Sequence, residues 1–377
     1  MVAASGRVAI GEMTKAAYAK LESAVGFRSN PHGIASSTAL KGHIDLPDVI
    51  NYDWVHSALQ GGVVTCEVEA LLAATRTPRS ELQTFLASPA WRYPGITRQK
   101  ARYLHRVFDP RRVGGDDPDK VKATCSELLG LYGMLRCFFD MKYGSVAEFR
   151  RHLECFFLLC RAMDLILALK FGFLGIDAAS VGELQAVLCR HLREHIALYG
   201  EGHVRPKHHW LVDCPSQFLR DQLVLDAFVI ERTHLSIKQL AEDVKNTRSY
   251  ERSVLSGFLC GVLRDSRELG GDRLLGRTAL LPGSAARVAD RAEVQKQEFT
   301  VGEIVLKSGE VAELKACALE ASELFFVVQR LQLVGEASPH YGTYERVPGL
   351  VVWPARAACH ALAWRPRSNG SLFVLSR

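Results

Sequence analysis

The chain has 377 residues, 48% hydrophobic and 23% charged, with 30 Gly and 14 Pro; this composition is globular and excludes collagen-like, coiled-coil and disordered readings. Its length predicts two or three domains and a sizeable core. The net charge of +6, from 47 Lys+Arg against 41 Asp+Glu, is too small as a whole-chain number to argue for any partner.

In chain order, residues 1–29 are expected to hold an N-terminal helix. They lack the apolar stretch of a secretory signal, while Arg7, Lys15 and Lys20 against Glu12 leave an organelle presequence open. The run LPDVINYDWVH, residues 46–56, reads as an extended segment that delivers Asp53, followed by a helix from Trp54. A further helix is expected over roughly 118–140, before Gly144. Two capping boxes mark helix starts: Ser145 with Glu148, opening a helix to about Phe171, and Ser180 with Glu183, opening one that runs to Tyr199 and stops at Gly200. Residues 153–174 are long enough to cross a bilayer, but Glu154, Arg161, Asp164 and Lys170 would each be costly at depth. The stretch is therefore expected to be a buried core helix, in which Cys155 and Cys160 act as small hydrophobes. PKHHWLVD, residues 206–213, is a second extended candidate, preceding a helix that carries Glu231. Residues 223–243 and 247–268 read as helical, ending at Gly270-Gly271, and the Gly/Ala/Arg-rich stretch near 270–292 as a linker. Beyond it, EFTVGEIVLKSGEVAELKACALE, ELFFVVQRLQLVG, GLVVWPA and SLFVLSR alternate apolar and polar residues around turns, which predicts a small β-rich barrel or sandwich.

Resolved along the chain, the charge acquires meaning. Residues 76–112 hold nine basic side chains (Arg76, Arg79, Arg92, Arg98, Lys100, Arg102, Arg106, Arg111 and Arg112) against Glu81 and Asp109, a net +7 that leaves −1 for the rest. Arg98, Arg102 and Arg106 recur every four residues, as a basic stripe on a helix whose other face carries Tyr103, Leu104, Val107 and Phe108. Arginines beside aromatic rings suit phosphate contact and base stacking, although a solvated amphipathic helix has the same pattern. Glu231, His234 and Lys238 share one helix face by spacing, the kind of face that two-metal phosphoryl transfer uses, and equally an ordinary surface. Cys189, His191, His195, His203, His208, His209 and Cys214 cluster in sequence. His191 and His195, four apart, would grip one Zn²⁺ from a helix. HLREH also matches the H-x-x-E-H zinc-peptidase pattern with Glu194 as general base and Glu268 as the distant ligand candidate. Phosphate loops, dinucleotide fingerprints and the G-x-S-x-G elbow are absent from the sequence, so nucleotide-cofactor and α/β-hydrolase chemistry have no support.

The wording NYDWVHSALQGGVVTCEVEALL, and then VRPKHHWLVDCPSQFLRDQLVLDAFVIERTHLSIKQLAEDVKNTRSYERSVL, resembles the C-terminal half of eukaryotic cut-and-paste transposases of the CACTA-like DDE type, which have an RNase H-like fold. The resemblance covers roughly residues 30–260. It implies that Asp53 and His56 form the Asp-x-x-His motif, that Pro206, Lys207, His208 and His209 form the P-K-x-H block, and that Glu231 is the last catalytic carboxylate. Asp53 and Glu231 would then be the catalytic and metal-binding acids, with Mg²⁺ as the cofactor. His234 and Lys238 would contact phosphate, and Arg98, Lys100, Arg102 and Arg106 would hold DNA in a helical insertion. Only 52 residues precede Asp53, so the expectation is a transposable-element remnant without the upstream strand-borne Asp. Its DNA recombination chemistry would then need carboxylates supplied by an upstream or partner chain.

The expected architecture is mainly α with a C-terminal β-rich module. It has an N-terminal helix at 1–29, a partial RNase H-like α/β core in pieces 30–62 and 205–245, and a helical insertion at 63–204 containing the basic segment. A helix and linker at 246–294 and a β module at 295–377 complete it. DNA is the expected partner, without a membrane or a nucleotide cofactor; homo-oligomerisation stays open. Ten cysteines and no C-x-x-C suit a reduced nuclear or cytoplasmic setting rather than a secreted one. The alternatives are a non-catalytic helical interaction protein and the zinc peptidase.

Overall fold

The computed structural model describes residues 14–25, 51–93, 103–109, 111–112, 120–226, 237–238, 240–242, 250–267, 272–281, 285–294, 297–338, 340–357 and 360–375. About half of the structure is helical, and a C-terminal antiparallel β-rich region follows, as the change in apolar periodicity predicts. It divides into two compact units, each assembled from separated segments. The first takes the described residues of Met1–Thr77, Asp119–Leu129 and Val146–Ala227; the second takes those of Pro78–Pro118, Gly130–Ser145 and Phe228–Arg377.

The first unit is helical. Its elements are α1 (Lys15–Val25), α2 (Trp54–Ala58), α3 (Val63–Thr75), α6 (Arg150–Lys170), α7 (Ala178–Tyr199) and α8 (Pro206–Asp221); between them in sequence lie α4 (Arg79–Ala87) and α5 (Cys125–Tyr143). α7 packs on α6 and α8, α3 on α6, and α2 on α8. Trp54, Leu59, Leu71, Phe156 and Phe218 are fully buried between them. α6 buries residues around most of its circumference, which is why its sequence resembles a membrane span. Among the described residues no helix is long and apolar enough to cross a membrane. The turn from α2 to α3 depends on Gly61, at φ +57°, and on Gly62, where a Cβ would lie 2.4 Å from the Ser57 carbonyl oxygen.

Several helix boundaries differ from the sequence expectation. The predicted capping box at Ser145 does not open the helix: a 3₁₀ turn over Ala147–Phe149 comes first, and α6 starts at Arg150 without a side-chain cap. α7 starts before Ser180, because Asp177 accepts a hydrogen bond from the Ser180 amide and caps it; it stops at Gly200, φ +85°, as predicted. The largest correction concerns PKHHWLVD, which is the first half of α8 and not an extended strand. Pro206 sits at its first turn, where its missing N–H costs nothing, and His208, Leu211, Cys214 and Phe218 bury one face at helical spacing. Residues 222–226 are not helical either; of 223–243, residues 237–238 and 240–242 are helical where described, and 227–236 lie outside the described residues.

Among the described residues, the second unit contains α4, most of α5, α9 (Tyr250–Arg267) and thirteen strands. These are β1 (Arg273–Leu275), β2 (Ala279–Leu280), β3 (Arg287–Ala289), β4 (Arg291–Val294), β5 (Gln297–Thr300), β6 (Ile304–Lys307), β7 (Glu310–Glu320), β8 (Glu323–Ser338), β9 (Tyr341–Arg346), β10 (Val351–Pro354), β11 (His360–Leu362), β12 (Trp364–Pro366) and β13 (Leu372–Leu375). The larger sheet runs β11-β6-β7-β8-β9-β13-β12, with β10 added on β8 and the β2–β3 pair on β7; the smaller is β1-β4-β5. All pairings are antiparallel. Alternate residues of β6, β7 and β8 enter two cores. Val305, Ala312, Leu314, Phe326 and Val328 meet Ala292, Val294 and Phe299 of the smaller sheet. Ile304, Val311 and Leu331 pack with Leu362, Leu372 and Val374 on the other side. The stretch 270–292 is therefore not a plain linker: β1, β2, β3 and the start of β4 lie in it. These strands are two to four residues long, too short for alternation to register in sequence. Trp91 and Arg92 join this unit through the bridge of Arg92 to Trp364, and Arg365 lies over the rings of Trp91 and Phe373 at 5.1 and 4.9 Å.

Candidate functional site

The structure brings together two of the motifs that lie 150 residues apart in sequence. Asp53, in extended conformation, caps α2: its carboxylate accepts from the amides of Val55 at 3.1 Å and His56 at 3.3 Å, and it pairs with the His56 ring. The chain before it lies against α8. The Tyr52 amide donates to Gln217 Oε1 at 2.7 Å, the Gln217 side-chain amide donates back to the Tyr52 carbonyl at 3.1 Å, and Tyr52 stacks on Trp210. The Arg220 guanidinium donates to Asn51 Oδ1 at 2.6 Å. At the start of α8, Lys207 Nζ donates to the Gln60 carbonyl at 2.9 Å, and burial lowers its pKa. His209 is exposed, whereas His208 is buried and accepts from the Arg205 amide at 3.1 Å. Burial and the neighbouring His195 and His191 hold His208 down to about 3, so it is a neutral imidazole at physiological pH.

Asp53 is therefore engaged as a helix cap and histidine partner. Among the described residues it joins no group of three or more metal-type ligands. Glu231 and His234 lie outside the described residues, as do Arg98, Lys100 and Arg102. Lys238 is exposed and 4.0 Å from Glu242 one helical turn away, an interaction of little strength in water. Arg106 is exposed with its guanidinium 4.4 Å over the Tyr103 ring, and Tyr103 is itself 49% exposed. Leu104, Val107 and Phe108 are buried as the apolar face predicts, but Tyr103, expected on that face, is exposed beneath Arg106. The backbone of Leu104–Phe108 is 3₁₀ rather than α, which corrects the four-residue spacing expected for the stripe at this end. Arg111 is tied to Asp109 by two side-chain hydrogen bonds.

Among the described residues, a buried group of side chains that could hold a metal ion lies elsewhere, inside the first unit. Glu67 on α3 is fully buried, and its Oε2 lies 2.6 Å from His195 Nδ1 and 3.2 Å from His191 Nε2 on α7. Cys155 on α6 is equally buried, its thiol 3.9 Å from the His191 carbonyl oxygen. One donor atom from each of the four side chains lies within 4.8 Å of those of the other three. Burial alone would push the Glu67 carboxyl up, but hydrogen bonds from His191 and His195 outweigh it and hold it at about 2. An ionised carboxylate only accepts, so both facing ring nitrogens carry protons. Burial, and then the Glu67 charge, push the Cys155 thiol up, so it is protonated in this arrangement.

This geometry gives Glu194 no place as a general base. Glu194 pairs with Arg151 at 3.2 Å and is half-exposed, while His191 and His195 are 2% and 1% exposed. A substrate has no approach to that histidine pair. The residue that completes the pair is Glu67, 124 positions away from His191. Two signals in the sequence point to it after the fact: an acid, Glu67, flanked by Cys66 and Val68 in the otherwise apolar run of α3 that it shares with Glu69, and the i, i+4 spacing of the histidines. No protein-family model, curated protein or solved structure matches this chain.

Proposed function

We propose that this chain is a transposase-derived nucleic-acid-binding protein. The observation that carries the reading is the concentration of the charge excess in residues 76–112, with Arg106 exposed over an exposed Tyr103. A guanidinium on a solvent-facing ring can contact phosphate and stack a base at once. The packing of the Asp53–His56 segment against α8, which begins with the Pro206–His209 block, adds support, because the resemblance to DDE transposases implies those two motifs flank a helical insertion. A partial RNase H-like core belongs to this reading only in its ancestry, since α8 begins where a strand was expected. Strand cleavage and transfer enter it only if Asp53 and Glu231 are joined by carboxylates from an upstream or partner chain that together hold Mg²⁺.

Binding of the full chain to duplex DNA should weaken linearly in log affinity against log salt. The triple substitution Arg98→Ala, Arg102→Ala, Arg106→Ala should reduce that slope by about 2.7 if each arginine meets one phosphate. An unchanged slope sinks the stripe as the contact surface. A second reading, a helical interaction protein, is favoured by one observation: Leu255 and Leu259, one turn apart on α9, are 57% and 49% exposed. The same titration separates the two, because an interaction protein of that kind shows no DNA binding even at low salt.

A further inference from the structure

We propose that Glu67, Cys155, His191 and His195 form a closed site for a divalent transition-metal ion, best matched by Zn²⁺, which staples α3, α6 and α7 together. The proposal rests on these four side chains and is independent of the DNA-binding reading. Two imidazoles, one thiol and one carboxylate are a donor set that suits zinc and leaves Mg²⁺ or Ca²⁺, which prefer all-oxygen shells, poorly served. Four protein ligands with no open position make a structural rather than a catalytic centre.

The geometry is near what coordination needs. A tetrahedral zinc with bonds of about 2.0–2.3 Å sets its donor atoms about 3.3–3.7 Å apart. His191 Nε2 and Glu67 Oε2, at 3.2 Å, are already close to that. His195 Nδ1 and the same oxygen, at 2.6 Å, must open by less than an ångström, within reach of a side-chain rotation. The second observation is unmet polarity on these side chains and beside them. Glu67 Oε1 and His195 Nε2 are buried with no hydrogen-bond partner, and so is Nε2 of His208, whose ring lies 4.9 Å from that of His195. Buried polar atoms left unpaired each cost roughly 1–3 kcal/mol, so a cation that engages the carboxylate removes part of a real penalty.

The proton balance is simple. The metal displaces the thiol proton of Cys155, which leaves to solvent as the metal–sulfur bond forms. In each neutral imidazole the proton on the facing nitrogen moves to the other ring nitrogen, so the ring stays neutral and the freed lone pair binds the metal; a doubly protonated ring would instead release its facing proton to solvent. No electron is transferred. The rival is a metal-free cluster in which Glu67 simply accepts from two histidines.

Metal analysis of the purified full chain decides between them. The proposal expects about one equivalent of zinc per chain, falling about tenfold or more in Cys155→Ser and in His191→Gln. Cobalt loaded into chelator-stripped protein should show a thiolate-to-metal charge-transfer absorption that Cys155→Ser abolishes. Should the variants fail to fold, the stripped wild-type chain supplies the test: added Zn²⁺ should raise its thermal midpoint, and added Mg²⁺ should not. A folded wild-type chain that holds less than about a tenth of an equivalent, both as purified and after zinc addition, overturns the site. So does a cobalt charge-transfer band that survives Cys155→Ser.

Discussion

Replacing Glu67 by Ala, with a chelator present so that bound metal plays no part, is expected to lower the stability of the helical unit by about 3–5 kcal/mol. Glu67 is the common acceptor of two buried imidazoles, at 2.6 and 3.2 Å. Its removal leaves both rings in an apolar interior with protonated nitrogens facing a void, so the lost bonds, the desolvation of the histidines and the cavity act in the same direction. Glu67→Gln keeps the volume and one acceptor while losing the charge, and is expected to cost less, about 1–3 kcal/mol. Denaturant unfolding followed by the helical circular dichroism signal measures both. An Ala variant within about 1 kcal/mol of wild type would show that the cluster is incidental to the fold.

The second large effect lies in the other unit. Phe326→Ala is expected to destabilise the β region by about 3–5 kcal/mol. Phe326 is fully buried on β8, its ring centroid 5.1 Å from that of Phe299 on β5. It is one of the side chains through which the larger sheet meets the smaller, in the same core as Trp353. Truncation removes the transfer free energy of the ring and opens a cavity that strands paired on both edges of β8 cannot readily close. The assigned ¹⁹F resonance of 5-fluorotryptophan at Trp353, followed through the unfolding transition, reads out this unit separately from Trp54 and Trp210 of the helical unit, and a loss below about 1 kcal/mol would contradict the packing described for the two sheets.

What was legible in the sequence was local. The stop at Gly200, the helix following Asp53, the buried character of α6 and the β-rich C-terminal region each follow from a cap, a glycine or a period within a few residues. PKHHWLVD misled because Trp, Val and a proline in a short run mimic an edge strand, while the apolar face that makes it a helix extends to Phe218, beyond the run. The strands between Arg273 and Val294 were illegible for a different reason: they are short, and pairing defines them rather than propensity, β1 with β4, β2 with β3, and β3 with the distant β7. Both units are also assembled from separated segments, a division that no single stretch of sequence announces.

The candidate site shows the same limit. His191 and His195 were visible as a pair through their i, i+4 spacing, but the nearest acid in sequence, Glu194, points to solvent and pairs with Arg151. Glu67 and Cys155 reach the pair only by tertiary packing of α3 and α6, and a buried Cys in an apolar helix reads as one more hydrophobe. The Asp53 motif was located correctly at the start of a helix, yet its hydrogen bonds to Val55 and His56 show a cap, a role the motif alone does not announce.

Photo-cross-linking of the full chain to duplex DNA at low salt, with the modified peptides identified by mass spectrometry, tests the functional reading most directly. The account predicts adducts concentrated within residues 76–112, Tyr103 and its neighbours among them, that fade as salt is raised. Adducts confined to other parts of the chain, or none under conditions where non-specific binding is strongest, would contradict it.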